Sequence, residues 1–237
     1  MSARIKLHNV DCMDYMRGLP DKAFELAIVD PPYGIMDLCK TGGGLEDKPN
    51  NRKKKFNRGV KGKPHSVIEM RKWDIQPPAE YFDELRRVTK NQIIWGANFL
   101  TNLNALSRGW ICWDKQVPDT MKISQFEVAF TSFNQISRTF HYSWGNERGF
   151  APKSTVIDKP FANIHPCQKP VKLYEWLLMN YANEGDRILD THLGSGSSAI
   201  AAHNLGFEFV GCELDTDYFN AAQKWLKQHQ SQLRIPV

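Results

Sequence analysis

The chain lacks the cysteine pattern of a disulfide-stapled or zinc-bound protein. Its five cysteines, Cys12, Cys39, Cys112, Cys167 and Cys212, are scattered, odd in number and never spaced as C-x-x-C. That argues against a disulfide framework and a zinc site, and it suits a reducing, cytoplasmic setting. Long apolar runs are missing too. No stretch approaches the roughly 20 residues of a membrane span, and the opening MSARIKLHNV has no apolar leader core, so no membrane association is expected. His8, His65, His141, His203 and His229 show no metal-ligand spacing; no metal is expected, and they read as polar surface or satisfied core. There is no internal repeat and no nuclease motif. What remains is a chain of 237 residues with ordinary apolar, aromatic and charged content, read as a single domain over residues 1–237 with room for an insert.

Charge is plentiful but unevenly placed. The net charge is +5, whereas the span Lys40–Lys72 holds eleven Lys and Arg against three acids, a local +8 that leaves −3 for the remainder. Such a run is either a solvated loop or a surface for a polyanion, because Lys and Arg displace counterions from phosphates. Its centre (Lys53, Lys54, Lys55, Arg58, Lys61, Lys63) supplies the candidate contacts. The surrounding span, about residues 38–72, has no periodicity and reads as a flexible basic loop or insert. A second irregular span, about 134–163, is aromatic and basic. Its Phe140, Tyr142 and Trp144, together with Trp73, are of the kind that stack on bases or wedge a duplex; Trp95, Trp113 and Trp176 sit in apolar patterns and read as core.

Elsewhere strand-like runs alternate with helical spacing. Seven strands are predicted: 4–10, 24–30, 91–96, 109–114, 126–133, 186–190 and 207–215. Tyr81, Phe82, Leu85 and Val88 share one side of a helix that starts near Pro78, and Val171, Leu173, Tyr174, Leu177, Leu178 and Tyr181 face inward from a helix opening after Pro170. A short small-residue helix ends at Gly206, and a last helix closes the chain. This alternation predicts an α/β fold with a mostly parallel sheet.

Near the end, ILDTHLGSGSSAIAAHNLGFEFVGCELD reads as strand, glycine loop, helix and strand. Gly194, Ser195 and Gly196 let backbone approach a ligand, and Glu213 ends the next strand where a carboxylate accepts ribose hydroxyls. NAD, FAD and S-adenosylmethionine sites share this geometry. Asp190, just before the loop, is unhelpful to a pyrophosphate but helpful to a cationic, phosphate-free ligand, which favours S-adenosylmethionine. Near the start, FELAIVDPPYGIMD ends an apolar strand on Asp30, Pro31, Pro32 and Tyr33. A turn explains the prolines but neither the acid nor the tyrosine. Transfer to an exocyclic amine explains all of them: Asp30 and the Pro31 carbonyl accept the two N–H bonds, the prolines fix that carbonyl, and Tyr33 stacks on an extruded base.

DPPYG, HPCQKP and LDTHLGSGSS…CELD in this order resemble the beta class of DNA amino-methyltransferases, and the likeness spans nearly the whole chain. The resemblance implies a Rossmann-like S-adenosylmethionine-dependent methyltransferase fold, circularly permuted so that the catalytic half comes first, with a seven-stranded sheet. It implies adenine-N6 methylation of double-stranded DNA by base flipping, the acid Asp30 arguing against cytosine-N4 members, which more often carry Ser there. Cytosine-N4 transfer and a catalytically silent DNA-binding relative are the alternatives. It places the catalytic motif at Asp30, Pro31, Pro32 and Tyr33. It places cofactor contacts at Asp11 and Cys12, at His165, Gln168 and Lys169, and at Asp190, His192, Leu193, Gly194, Ser195, Gly196 and Glu213, with Asp30 at the junction. His192 departs from the Phe often found there. Family members are often homodimers. Pro166-Cys167-Gln168 looks like the nucleophile of cytosine-C5 enzymes, but it precedes the glycine loop instead of following it, so Cys167 is read as structural or cofactor-adjacent.

Overall fold

The computed structural model describes residues 4–35, 73–121, 123–143, 164–165 and 167–231. The basic segment, with Lys53, Lys54, Lys55, Arg58, Lys61 and Lys63, lies outside the described residues, as does the 144–163 part of the second irregular span. Along the chain run β1 (Ile5–Asn9), α1 (Cys12–Arg17), β2 (Phe24–Val29), α2 (Ala79–Val88), β3 (Thr89–Trp95), β4 (Trp110–Asp114), β5 (Phe126–Thr131), β6 (Arg138–His141), α3 (Val171–Tyr181), β7 (Arg187–Asp190), α4 (Ser197–Leu205), β8 (Glu208–Glu213) and α5 (Thr216–Gln230).

The strands form one sheet in the order β1-β8-β7-β2-β3-β5-β4-β6. All neighbouring pairs are parallel except the two made by β5, which runs against both β3 and β4. Eight strands replace the seven expected from the sequence. The added strand is β6, four mostly exposed residues (RTFH) paired only with β4 at the sheet edge. An edge strand that buries little has no apolar alternation to announce it.

Helices cover both faces, as a sheet with buried interior strands requires. Met16 of α1 and Tyr81, Phe82, Leu85 and Val88 of α2 pack on Ala27, Val29, Ile94 and Phe130. On the other face α3 and α4 pack over Leu26, Ile28, Ile93, Trp95, Ile111 and Trp113, and α5 closes over Ile200 with Tyr218, Trp225 and Leu226. The predicted inward faces of α2 and α3 are those found, except that Val171 is only partly buried and Glu175, held by Lys172 and Asn204, is buried as well. The helix α1 has too few turns to show a period; it is set by Asp11, whose carboxylate accepts the Met13 and Asp14 amides at 2.8 and 3.3 Å.

The topology brings the two motifs together. Strands β2 and β7 are parallel neighbours, with Leu26 opposite Ile188 and Ala27 opposite Leu189. Neighbouring strands lie about 4.8 Å apart, so both motifs emerge at the same carboxyl edge, Asp190 level with Ile28 and Asp30 two residues beyond. From β2 the chain proceeds to β3 on one side, and from β7 to β8 on the other. A reversal of this kind opens a crevice where ligands bind in open α/β sheets.

Candidate active site

A cleft of about 890 Å³ occupies that crevice. Every sequence-predicted catalytic and cofactor residue lines it except Asp190 and Gly196, which are set back from the surface of the cleft. Residues distant in sequence, such as Asp11, Tyr33, Lys169 and Glu213, thus share one wall system.

On the glycine-loop side, Asp190 is 1 % exposed and works as a clasp. One oxygen accepts the Ser198 hydroxyl at 2.6 Å and the other the His192 amide at 3.0 Å, tying the end of β7 to the first turn of α4. Burial pushes its carboxyl up to about 7, against the pull of the two donors. Gly196 has φ +85°, and a Cβ there would come within 3.0 Å of the Ala222 Cβ on α5, so the loop turns where only glycine fits both backbone and packing. Glu213 accepts the Gly194 amide at 2.8 Å and the Asp215 amide at 3.0 Å. A carboxylate offers about four lone-pair sites, so it retains capacity toward the cleft. His192 lies close to Thr191 (3.0 Å) and to the Tyr81 hydroxyl (3.4 Å). Burial lowers its pKa to about 4, so it is a neutral ring at pH 7. Gln168 accepts the Ile164 amide at 3.1 Å, and the His165 ring meets Tyr218 edge-on at 4.5 Å. These two shape the wall through packing.

The catalytic-motif side is ionic. Asp30 receives the Tyr33 hydroxyl on one oxygen at 2.5 Å, and its other oxygen lies 2.5 Å from the Lys169 ammonium. Lys169, expected to face the cofactor, lines the cleft and pairs with the Asp30 carboxylate. It also donates to the Tyr33 oxygen at 3.0 Å and lies over the Trp95 ring at 5.4 Å. Burial pushes the Asp30 carboxyl above its ordinary value while Lys169 opposes the shift. For Lys169 the two carboxylates facing it, Asp30 and Glu127, outweigh burial and hold the ammonium protonated. Burial and Asp30 drive the Tyr33 phenol well above 10, so it remains a donor.

Three residues here escaped sequence reasoning. Glu127 reaches Lys169 at 3.1 Å and Lys115 at 2.5 Å. Burial would raise its carboxyl, but the two lysines hold it down at about 2. Lys115, 8 % exposed, completes an alternating row of charges, its lysines buried and its carboxylates half-buried: Asp30, Lys169, Glu127, Lys115. Gly96 has φ +68°, and a Cβ there would fall 2.0 Å from the Tyr33 ring. It is the floor on which that ring rests, with Phe99 stacked beside it at 5.7 Å. A glycine closing an apolar strand was the available signal for Gly96; for Glu127 there was none, since an acid in a strand normally marks the solvent face.

The chain is 24% identical over 94% of its length to the type II methyltransferase M1.MboII of Moraxella bovis, spanning 96% of that protein. Its fold is similar to that of TTHA0409, a DNA modification methylase of Thermus thermophilus solved with S-adenosyl-L-methionine, at a TM-score of 0.54, 16% identity and 98% coverage of each chain. It is also similar to the cytosine-N4-specific PvuII DNA methyltransferase, at a TM-score of 0.55 and 10% identity, covering 97% of this chain and 91% of that one. Residues 24–224 match the DNA methylase family of N6 and N4 methyltransferases, a span that holds the Asp-Pro-Pro-Tyr motif, the row of charges and the glycine loop together, and the chain belongs to that family.

Proposed function

We propose that this protein methylates the N6 amine of adenine in double-stranded DNA with S-adenosyl-L-methionine as donor, the target base being turned out of the duplex into the cleft. The observation that carries the reading is the adjacency of Asp30 and the glycine loop at the ends of β2 and β7, both opening on one cleft.

The cleft suits that donor. Glu213 keeps lone pairs for ribose hydroxyls beyond its two backbone donors. Among the described residues the lysines lining the cleft, Lys115 and Lys169, are both ion-paired with carboxylates, which offers little to a pyrophosphate. Leu193, Gly194, Ser195, Cys12 and Glu213 would hold the donor, which supplies an electrophilic methyl group on a sulfonium. The chain's own groups prepare the acceptor. An exocyclic amine is a poor nucleophile because its lone pair is delocalised into the ring. Asp30 and the Pro31 carbonyl accept its N–H bonds, which localises that lone pair. Tyr33, resting on Gly96, orients the Asp30 carboxylate and offers a ring to the base. An acid at position 30, in place of a hydroxyl, favours adenine over cytosine-N4. The basic segment around Lys53–Lys63 is proposed to track the DNA backbone, since its ends, Ile35 and Trp73, both line the cleft. A short target site, or recognition shared with a second copy in a homodimer, goes with a candidate target-recognition segment limited to about residues 134–163.

The test is direct: the protein is incubated with DNA and S-adenosylmethionine, and the DNA is then digested to nucleosides. N6-methyladenine is the expected product. N4-methylcytosine in its place would transfer the reading to the cytosine-N4 branch, and no methylation of any DNA despite S-adenosylhomocysteine binding would defeat it.

A further inference from the structure

Lys169 is shared. The residue is 4 % exposed, and its ammonium touches Asp30 at 2.5 Å and Glu127 at 3.1 Å and donates to Tyr33 at 3.0 Å. Glu127 is equally divided, one oxygen toward Lys169 and the other toward Lys115. It reaches this position because β5 is reversed, so that a residue near the start of β5 lies at the edge where the neighbouring strands end. Glu127 stands opposite Trp113, and Trp95 opposite Ala129, which gives the carboxylate an apolar floor and strengthens its pull on both ammonium groups.

The row bears on the chemistry of Asp30. To accept an amine N–H, Asp30 must be ionised and must keep a lone pair free. A buried ammonium with no second anion would turn both its hydrogen bonds and its charge on Asp30 alone, leaving a weak acceptor. A second carboxylate divides that attraction. It also cancels Lys115, whose unpaired charge would oppose the positive charge that grows on the amine nitrogen during transfer. We propose that Glu127 is a positioning residue for methyl transfer: by sharing Lys169 it confines the ammonium to one oxygen of Asp30 and keeps that carboxylate available to the target amine. The inference rests on the proposed methyltransferase activity and names how its catalytic acid is held.

Two measurements on the full chain test it. In steady-state methylation, Glu127→Gln should lower kcat by about 10- to 100-fold while KM for DNA and for S-adenosylmethionine moves by less than about 3-fold. In the pH profile of kcat, the acid limb that reports ionisation of Asp30 should move to lower pH in Glu127→Gln, because Glu127 no longer opposes the pull of Lys169 on that carboxyl. The titratable groups that bear on this cluster are Asp30, Tyr33, Lys115, Glu127, Cys167, Tyr174 and Asp190 besides Lys169 itself. A folded Glu127→Gln with wild-type kcat, or with an unmoved acid limb, overturns the inference. Should Glu127→Gln fail to fold, Glu127→Asp carries the test, with an intermediate kcat and a smaller movement of the acid limb expected, and wild-type values of both overturning it. A wild-type protein that methylates no DNA defeats the proposed function instead, whereas an active wild type beside an equally active Glu127→Gln defeats only the role given to Glu127.

Discussion

Asp30 and Asp190 end neighbouring parallel strands, yet they have been put to opposite uses. Asp190 is closed off behind its loop and receives neutral donors, the Ser198 hydroxyl and the His192 amide. Asp30 opens on the cleft and receives a cation and a phenol, Lys169 and Tyr33. The first arrangement holds a backbone turn in place, and burial leaves its carboxyl readily protonated near neutral pH. The second sets a carboxylate at the wall of the cleft, its own burial opposed by an ammonium. The position in the sheet therefore supplies a buried acid, and the partners decide whether it becomes scaffold or chemistry.

Substitution at the two acids should separate these uses. Asp30→Asn should cost roughly 10²- to 10⁴-fold in kcat, with S-adenosylhomocysteine affinity by calorimetry changed by less than about 3-fold; a loss of affinity matching the loss of rate would place Asp30 with the cofactor scaffold. Gly96→Ala attacks the same side without touching a charge. With φ +68° and a Cβ 2.0 Å from the Tyr33 ring, it should displace Tyr33, lower kcat about 10-fold or more and cost about 1–3 kcal/mol in urea unfolding. Asp190→Asn should instead change how stability depends on pH. The folded carboxyl titrates at about 7 and the unfolded one near 3.9, so the folded state keeps the proton longer as pH rises. Stability from this group therefore declines between about pH 4 and pH 7 and levels off above. Unfolding midpoints across that interval should show a shallower decline in Asp190→Asn, a slope remaining because burial also raises Asp30 and Glu213. Cys167→Ala should alter kcat least, by less than about 3-fold in the same methylation assay, since the charged groups that organise the acceptor lie elsewhere; complete loss with a normal fold would reopen a covalent route through the thiol.

The two halves were also unequally legible. The cofactor half could be read locally: strand, glycine loop, helix and acid follow one another within Ile188–Glu213, and each has its own short-range signature. The inward faces of α2 and α3 were written in their spacing for the same reason. The catalytic half was legible only in its first element, Asp30 to Tyr33. Its remaining members come from the turn after β3, the end of β4, the start of β5 and the approach to α3, and no spacing links Gly96, Lys115, Glu127 and Lys169. Glu127 was further hidden by its strand. In FEVAFT the apolar Phe126 is the exposed residue, at 55 %, while the acid turns inward, so alternation pointed the wrong way. The edge strand β6 and the six-residue α1 were missed because each buries too little to leave a pattern.

The reversal of β5 has one more consequence. Because β4 leaves and β5 enters at the same margin, the two form a hairpin whose connection borders the cleft, with Lys115 and Ile123 on its inner side. A hairpin tip can grow or shrink without a crossover helix having to be refitted to the sheet. The rim of the cleft is thus free to change in length and sequence, while the acid and its counterions beneath stay where they are.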